Sequence, residues 1–464
     1  MGRKGVVVVG RNDHEFALSG ETCFWNRGGT MKTTTVFRWA VQAVAALAIA
    51  GASAGEPSIG QVSVRQRWPW SRLVDIDYVL SCDSTQRVDV AVKAYDGDTP
   101  LHLPASSFAG DIYEVGRGPH RMVWDPTATC CTNSGVLTNF RVTLTPVRPP
   151  VYLIVNLDRS LNDSRLFEYV YPDDSRLVTD KRGGRVWYGV TNDAAYMTTK
   201  LVLRRIFPGT FEMGSPPDEI GRETLGFCFE DRHKVVLTRP FYIGVFEVTQ
   251  EQWRRVMGSE WTSCFTNVQY AATRPVDSMS YDAVRGTDLG TRWPAGNEVD
   301  ATSFMGQLRA KTGLGTFDLP TEAQWEYACR AGTTTALYSG TDLVSPDFDT
   351  NLCALARYKF NGGEAGRSVT TEKGTARVGS YRPNAWGLYD MHGNLFEWCM
   401  DWYTGHLGSA PVKDPVGALS GSGRILRGGC YKHIAAYSRA AFRPAMPSSS
   451  CYFDYGFRVA LPLP

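Results

Sequence analysis

Hydrophobic and polar residues alternate along the N-terminal part of the chain. Val74, Ile76 and Tyr78, for example, are separated by single aspartates, and clusters of Gly, Asp and Pro divide this run from the next. A period of two with turn residues between the runs is typical of half-buried antiparallel strands. We therefore predict a small all-β sandwich, of immunoglobulin-like type, over residues 57–148.

The pattern changes after the Arg-Pro-Pro triplet at residues 148–150. Residues 149–200 carry one short apolar strand within a polar stretch, and we predict a connector there. From residue 201 to residue 464, short strands and many Gly and Trp residues are mixed with a few helical patterns. This mixture predicts an α+β domain with little regular secondary structure.

Three helices in the C-terminal part have clear local signals. Thr249 and Thr321 are each followed three residues later by glutamine, which is the signature of a capping box, and Gly258 can end the first helix. A third helix is predicted over residues 300–311 from its apolar spacing.

A short apolar run near the start of the chain indicates export. Residues 31–54 begin with a positive segment and end with Ala-Ser-Ala, the pattern of a secretory signal peptide. The run is too short for a membrane span, and a buried helix is the alternative. We expect residues 1–30 to be a non-native upstream extension. The mature protein would then be secreted, periplasmic or in the cell envelope, without a membrane span after cleavage.

Composition excludes several classes of protein. With 43% hydrophobic and 21% charged residues the chain is globular, and a net charge of +2 gives no basic excess for nucleic acid. The usual zinc-hydrolase, nucleophile-elbow and phosphate-loop motifs are absent from the sequence.

Of eleven cysteines, ten follow the predicted signal peptide. An oxidising compartment therefore favours several disulfides, whose pairing stays open.

The segment from 387 to 398 is the densest candidate for chemistry. Asp390 and Glu397 flank a turn that contains Gly393 and Asn394. Such a loop can bring both carboxylates and some carbonyls together, and oxygen ligands suit a hard cation, best Ca²⁺. The alternative is a tight turn in which the two carboxylates cap backbone amides.

A second candidate lies near the C-terminus, where Arg-Gly-Gly precedes Cys430 and His433 follows three residues later. A cysteine close to a histidine can be an activated thiolate. The alternative, which export favours, is a Cys430 that is buried or in a disulfide, with Cys451 or Cys329 as its partner.

Seven segments, in this order, resemble the sulfatase-modifying-factor family, whose best-known members are formylglycine-generating enzymes. The resemblance covers residues 201–464. It implies a C-type-lectin-like α+β fold, structural calcium and, in the enzymes, copper-dependent oxidation of a sulfatase cysteine to formylglycine. The segments are FEMGS (211–215), FEVTQEQW (246–253), RPVDSMSYDA (274–283), LPTEAQWEYACRAGT (319–333), WGLYDMHGNLFEWCMDWY (386–403), RILRGG (424–429) and GFRVA (456–460).

The resemblance implies one calcium site in this chain. The side chains of Asp390 and Glu397 would bind the ion, and Gly393 and Leu395 would offer carbonyls. At the family's other calcium site, the Ala-Asn-aliphatic stretch is replaced here by Ala-Arg-Tyr at 356–358. An arginine side chain has no oxygen to donate to a metal, so this second site is not expected.

The resemblance does not extend to the copper-binding cysteines. Their two positions fall on His433 and Ser438, or are deleted if the loop is shorter, and Cys430 takes the place of a family serine. Copper(I) requires soft thiolate ligands, and one thiol remains here. Cys430, His433 and Ser438 would therefore be catalytic only if an oxidase acts with an altered ligand set.

Three functions follow from these observations. The first is a calcium-stabilised binding scaffold that presents its loops to a protein or glycan ligand. The second is copper-dependent formylglycine generation on exported sulfatases. The third, sulfoxide synthesis with non-haem iron, is the least favoured, because it relies on a helical domain with three histidines and the front domain here is predicted to be β.

Overall fold

The computed structural model of the chain describes residues 6–8, 56–67, 70–101, 103, 107–126, 139–180, 184–222, 228–259, 263, 270–286, 298–361 and 374–463. It divides into two compact units, one within Met1–Pro149 and one over Pro150–Leu463. No helix among these described residues is long and apolar enough to cross a membrane.

The N-terminal unit contains two four-stranded sheets with antiparallel pairing. The buried side chains of Ile76 and Tyr78 share one hydrophobic cluster with Val142 and Leu144. The first strand lies within the predicted upstream extension, and its backbone pairs with the last strand of this unit. The strands are β1 (Val6–Val8), β2 (Ser58–Gln66), β3 (Val74–Ser81), β4 (Asp89–Asp96), β5 (Thr99–Leu101), β6 (Phe108–Gly110), β7 (Gly118–Trp124) and β8 (Phe140–Val147), in the sheet orders β1-β8-β4-β5 and β2-β3-β7-β6.

The C-terminal unit is built on a five-stranded antiparallel sheet. Its order is β10-β9-β13-β16-β22, where β9 is Tyr152–Asn156, β10 Phe167–Val170, β13 Lys200–Ile206, β16 Phe241–Gly244 and β22 Ala460–Pro462. Residues 149–200, which we predicted to be a connector, thus contribute two strands to this sheet. The reason is that the apolar strand β9 is buried and pairs with β13 along its whole length.

Among its described residues, this unit also has three smaller sheets. The largest of the three has the order β20-β19-β17-β21, and it ends in the turn before Cys430, which follows β19. In this sheet β21 runs parallel to β17. The strands are β11 (Val178–Thr179), β12 (Arg185–Val186), β14 (Gly209–Met213), β15 (His233–Leu237), β17 (Phe396–Trp402), β18 (Val412–Lys413), β19 (Arg424–Arg427), β20 (Ala445–Met446) and β21 (Tyr455–Gly456).

Four α-helices lie among the described residues, all in the C-terminal unit. They are α1 (Gln250–Met257), α2 (Tyr281–Arg285), α3 (Phe304–Thr312) and α4 (Glu322–Arg330). Both predicted capping boxes are confirmed, at Thr249 and at Thr321, and Gly258 ends α1 in the left-handed conformation. The third predicted helix is present as α3. It begins later than predicted because the Ser303 side chain, and not residue 300, caps its first turn.

Candidate functional site

Two glycines at the end of β19 make the turn that presents Cys430. Gly428 and Gly429 have positive φ angles of 94° and 78°. A Cβ atom on Gly429 would lie 2.6 Å from the Ser438 hydroxyl oxygen. Only glycine fits this backbone conformation at so close an approach. The chain therefore reverses sharply after the strand and carries Cys430 into the interior, where it is fully buried.

Cys430 lies between an imidazole and a carboxylate. Its Sγ atom is 3.3 Å from Nδ1 of His433 and 3.4 Å from Oδ2 of Asp454. The potential ligand atoms of these three residues all lie within 4.8 Å of one another. Lys432 Nζ approaches the other carboxylate oxygen of Asp454 to 3.1 Å. Within the described part of the chain, no other group of three His, Cys, Asp or Glu residues is as compact.

Asp454 could not be assigned to this site from the sequence. It precedes β21, which pairs with β17 in parallel, and its carbonyl accepts a hydrogen bond of 2.9 Å from the Phe396 amide at the start of β17. This pairing brings Asp454 next to the glycine turn from 24 residues further along the chain. Its position two residues before the GFRVA segment was a sequence signal that could have pointed to it.

The surroundings of the Cys430 thiol disfavour a thiolate. Burial raises its pKa well above the ordinary value, and the charge of Asp454 raises it further. The neutral thiol donates its hydrogen to Asp454. A cysteine nucleophile requires the opposite environment, one that is electropositive and partly exposed. Of the alternatives drawn from the sequence, the buried cysteine is the one that the structure shows.

Ser438 is close to this turn but is not hydrogen-bonded to it. It ends a short 3-10 helix, Ala435–Ser438, and its buried hydroxyl has no hydrogen-bond partner among the described residues. The structure thus brings Cys430 and His433 together. Ser438 is not part of this group, and its hydroxyl lies against the backbone of Gly429.

The expected disulfides are not formed among the described cysteines, and Cys430 pairs with neither predicted partner. Cys430 and Cys329 belong to different hydrophobic clusters, and Cys451 is exposed. The described cysteines are all free thiols: Cys82, Cys228, Cys329, Cys353, Cys399, Cys430 and Cys451. The remaining four, Cys23, Cys130, Cys131 and Cys264, lie outside the described residues.

The second candidate site is a buried loop between Asp390 and β17. Asp390 has a positive φ of 56°, and its Oδ2 accepts a hydrogen bond of 2.7 Å from the Gly379 amide. Its Oδ1 atom is buried and has no hydrogen-bond partner in the described structure. Gly393 also has a positive φ, and its amide donates to the Gly428 carbonyl at 2.7 Å. The loop is therefore anchored to the glycine turn of the first site.

Glu397 is the best satisfied carboxylate of this loop. Arg458 donates to both of its oxygens, at 2.6 and 2.5 Å, and the Trp325 indole donates to one of them at 2.7 Å. All three side chains are buried. Because a bidentate Arg–carboxylate pair is strong and directional, this contact fixes the start of β17 against the segment between β21 and β22.

Glu247 is a third carboxylate here, and it was not singled out from the sequence. It accepts hydrogen bonds from the Asn394 side-chain amide at 2.5 Å and from the Leu395 backbone amide at 3.0 Å. Burial raises its pKa well above the ordinary value, and the charges of Asp390 and Glu397 raise it further. Its position could not be anticipated, because it lies 148 residues before Leu395 in the chain.

This buried region contains three acidic side chains, and one guanidinium neutralises only part of their charge. Glu247, Asp390 and Glu397 are all buried, and Arg458 supplies one positive charge to them. Burial raises the pKa of Asp390 to about 7, against the opposing effects of the Gly379 amide and Arg458. Buried carboxylates without enough positive charge are costly. A hard divalent cation would relieve this excess, and the unpartnered oxygen of Asp390 fits it as a ligand.

The structure also shows the surroundings of Arg357, in the Ala-Arg-Tyr segment at 356–358. The guanidinium of Arg357 donates to the carbonyls of Gly374, at 2.9 Å, and Asn361, at 2.8 Å. A positive side chain thus occupies this position and contacts backbone oxygens.

A comparison with family models identifies the C-terminal unit. A family model described as "Sulfatase-modifying factor enzyme 1-like domain" matches residues 191–463. The formylglycine-generating enzyme of Streptomyces coelicolor is 38% identical over 151 residues, which are 31% of this chain and 46% of that protein. The formylglycine-generating enzyme of Mus musculus is 36% identical over 148 residues, or 31% of this chain and 38% of that protein.

Other similar proteins have different names. The serine/threonine-protein kinase pkn1 of Chlamydia pneumoniae is 29% identical over 243 residues, which are 49% of this chain and 34% of that protein. Among solved structures, Treponema denticola variable protein 1 is 28% identical, covers 57% of this chain and 96% of its own, and has a TM-score of 0.42. PvdO from Pseudomonas aeruginosa is 25% identical, with coverages of 57% and 95% and a TM-score of 0.43.

The chain spans less than half the length of the formylglycine-generating enzymes and the kinase that it matches. The family model, in contrast, covers more than half of the chain. The mostly sheet structure with few helices fits the mixed, C-type-lectin-like fold expected of that family. Through its C-terminal unit, the chain belongs to the sulfatase-modifying-factor family.

Proposed function

We propose that the C-terminal unit is a recognition scaffold of this family and does not oxidise cysteine by copper–thiolate chemistry. The observation that supports this is the composition of the compact group at the glycine turn. It holds one sulfur atom, from Cys430, beside an imidazole and a carboxylate. Copper(I) selects soft sulfur ligands, and a carboxylate is a hard one. The proposal therefore depends on this group having a single thiol, that of Cys430, and a second thiol ligand would contradict it.

The surface next to this turn favours a binding role. Tyr452 is 52% exposed and Phe453 37% exposed, directly before the buried Asp454. The Lys432 ammonium lies 4.1 Å from the centre of the Phe453 ring. Exposed aromatic side chains combined with a cation are common in surfaces that recognise a protein or a glycan. We propose a ligand of one of these two kinds.

The remaining parts of the proposal concern the whole chain. The signal-like segment at residues 31–54 supports export to the cell envelope or beyond. The two antiparallel sheets of the N-terminal unit, which share one hydrophobic cluster, support an immunoglobulin-like sandwich in front of the scaffold. A β-sandwich that precedes the scaffold in the sequence suits presentation of the C-terminal unit to a ligand outside the cell.

We also propose that a calcium ion stabilises the scaffold at the loop that begins with Asp390. The side chains of Asp390 and Glu397 would hold the ion, and Gly393 and Leu395 would offer carbonyls. The excess of buried carboxylates over guanidinium and the unpartnered Oδ1 of Asp390 support this site. Calcium prefers oxygen ligands of this kind.

An oxidation assay tests the central proposal. The purified chain is incubated with copper, oxygen, a reductant and a peptide containing Cys-x-Pro-x-Arg, and mass spectrometry is used to detect conversion of the cysteine to the aldehyde. The Streptomyces enzyme serves as the positive control, and the Cys430→Ser variant defines the background. We expect the wild-type chain to match that background. Copper-dependent turnover that the Cys430→Ser variant loses would show that the protein is an oxidase.

A further inference from the structure

We propose that Cys430, His433 and Asp454 form a binding site for a divalent metal ion of borderline softness, with Zn²⁺ as the best match. The three side chains offer one sulfur, one nitrogen and one oxygen within 4.8 Å of one another. This proposal is independent of the proposed scaffold function, since a protein can bind zinc here whether or not it oxidises cysteine.

The spacing of the ligand atoms suits a tetrahedral ion. Zinc binds sulfur at about 2.3 Å and imidazole nitrogen or carboxylate oxygen at about 2.0–2.2 Å, so a tetrahedral angle places two such ligand atoms about 3.6 Å apart. In the structure Sγ of Cys430 lies 3.3 Å from Nδ1 of His433 and 3.4 Å from Oδ2 of Asp454. For these two pairs, shifts of a few tenths of an ångström reach the tetrahedral spacing, and the third pair, His433 and Asp454, lies within 4.8 Å.

The types of ligand select the class of metal. Calcium and magnesium bind oxygen ligands, and copper(I) prefers sulfur ligands. Zinc is the common metal that accepts thiolate, imidazole and carboxylate in one tetrahedral site. Three protein ligands are the number found in zinc sites that keep one position for water or a ligand group.

Contacts around the three residues hold them in place. The His433 amide donates to the Cys430 carbonyl at 3.2 Å, and the Phe396 amide donates to the Asp454 carbonyl at 2.9 Å. The His433 ring packs 5.4 Å from the Phe396 ring and 5.0 Å from the Tyr437 ring. Because the ligands are anchored by backbone and ring contacts, little conformational freedom is lost when an ion binds.

Metal binding would exchange one proton for the ion. In the absence of metal, the Cys430 thiol keeps its proton and donates a hydrogen bond to Asp454. When the ion binds, the sulfur–hydrogen bond breaks, the proton leaves to solvent, and the thiolate and Asp454 both bind the metal. Lys432, which lies 3.1 Å from Asp454, keeps its ion pair with the outer carboxylate oxygen. His433 is only partly buried, so the ion can reach the site from that side.

Cobalt(II) titration tests the site directly, because a cobalt–thiolate bond gives a charge-transfer absorption that oxygen and nitrogen ligands do not. The reduced full-length chain is stripped of metal with a chelator, titrated with Co²⁺, and then challenged with Zn²⁺. We expect one thiolate-bound cobalt per chain that zinc displaces. Cys430→Ser should abolish the absorption, while His433→Gln and Asp454→Asn should each weaken binding tenfold or more. Cys451→Ser, which removes an exposed thiol nearby in the chain, is the matched control and should change nothing.

Several results would overturn the assignment. They are a wild-type chain without the thiolate absorption, an absorption that survives in Cys430→Ser, and a copper(I) site that requires a second cysteine. If Cys430→Ser does not fold, His433→Gln decides the question, because its partly exposed side chain is less critical for packing and undiminished cobalt affinity in that variant would refute the site. None of these outcomes depends on the peptide-oxidation assay, so the two proposals fail separately.

Discussion

Removing the charge of Asp390 is expected to eliminate most of the calcium-dependent stability. The Asp390→Asn variant keeps the shape of the side chain and can still accept the hydrogen bond from the Gly379 amide. It removes one of the three buried carboxylates that exceed the charge of Arg458. The variant therefore separates the role of the charge from the role of the loop geometry.

The magnitude follows from mass action. A ligand present at a hundred times its dissociation constant stabilises the folded state by about 2.7 kcal/mol. If loss of a charged ligand raises the dissociation constant a hundredfold, the same calcium concentration contributes only about 0.4 kcal/mol. Each kcal/mol moves the melting temperature by about 2–4 °C in a domain of 150–250 residues, and by somewhat less in the larger unit Pro150–Leu463. The wild-type shift should thus be several degrees, and the variant shift about one degree.

Without calcium, the wild type should lose its advantage in stability over the Asp390→Asn variant. Without an ion, the wild-type chain buries an Asp390 oxygen that has no hydrogen-bond partner in the described structure. A buried charge without compensation is unfavourable, and asparagine removes that charge. We therefore expect chelated Asp390→Asn to be at least as stable as the chelated wild type, and less stable than the wild type in calcium.

Differential scanning calorimetry of the full chain, with chelator and with excess calcium, measures both comparisons. Asp401→Asn is the matched control, because Asp401 is also a buried aspartate that accepts a backbone hydrogen bond, from Glu322 at 2.8 Å, in a different group of charges. Its calcium shift should equal that of the wild type. Equal melting temperatures of the wild type with and without calcium would refute the calcium site, and an undiminished shift in Asp390→Asn would place the ion elsewhere.

Two further predictions concern the stability of the domain. Burial, assisted by the charge of Glu322, raises the pKa of Asp401 to about 7, so the folded state holds a proton that the unfolded state releases near pH 4. Unfolding free energy should therefore fall as the pH rises from about 4 to about 7, and calorimetry should show a smaller slope for Asp401→Asn; identical slopes would contradict this. Thr321→Ala should lower the free energy of unfolding in urea by about 1 kcal/mol, because it removes the buried cap of α4. Thr321→Ser keeps the capping hydroxyl and should retain most of the stability. An equal loss in both variants would argue against the cap.

The local features of the domain could be predicted because their partners are close in sequence. The capping boxes join Thr249 to Gln252 and Thr321 to Gln324, so four consecutive residues contain the whole interaction. The approach of His433 to Cys430 is similarly short in sequence. Helix starts and single turns of this kind are therefore visible in the chain before any fold is known.

The disulfide expectation was wrong for the described cysteines for a physical reason. Composition and compartment indicate how readily thiols oxidise, whereas a bond also requires two Cα atoms within about 7 Å. That distance is a property of the fold, and it is the fold that places Cys430 and Cys329 in different hydrophobic clusters.

By itself the sequence determined which family the C-terminal unit resembles, where its capped helices begin, and that one loop carries both Asp390 and Glu397. Only the tertiary structure decided what surrounds these residues. Arg458 reaches Glu397 across 61 residues, and the parallel pairing of β21 with β17 brings Asp454 to Cys430. Sheet pairing and burial join segments that are far apart in the chain, and the charge and ligand set of each site depend on those distant partners.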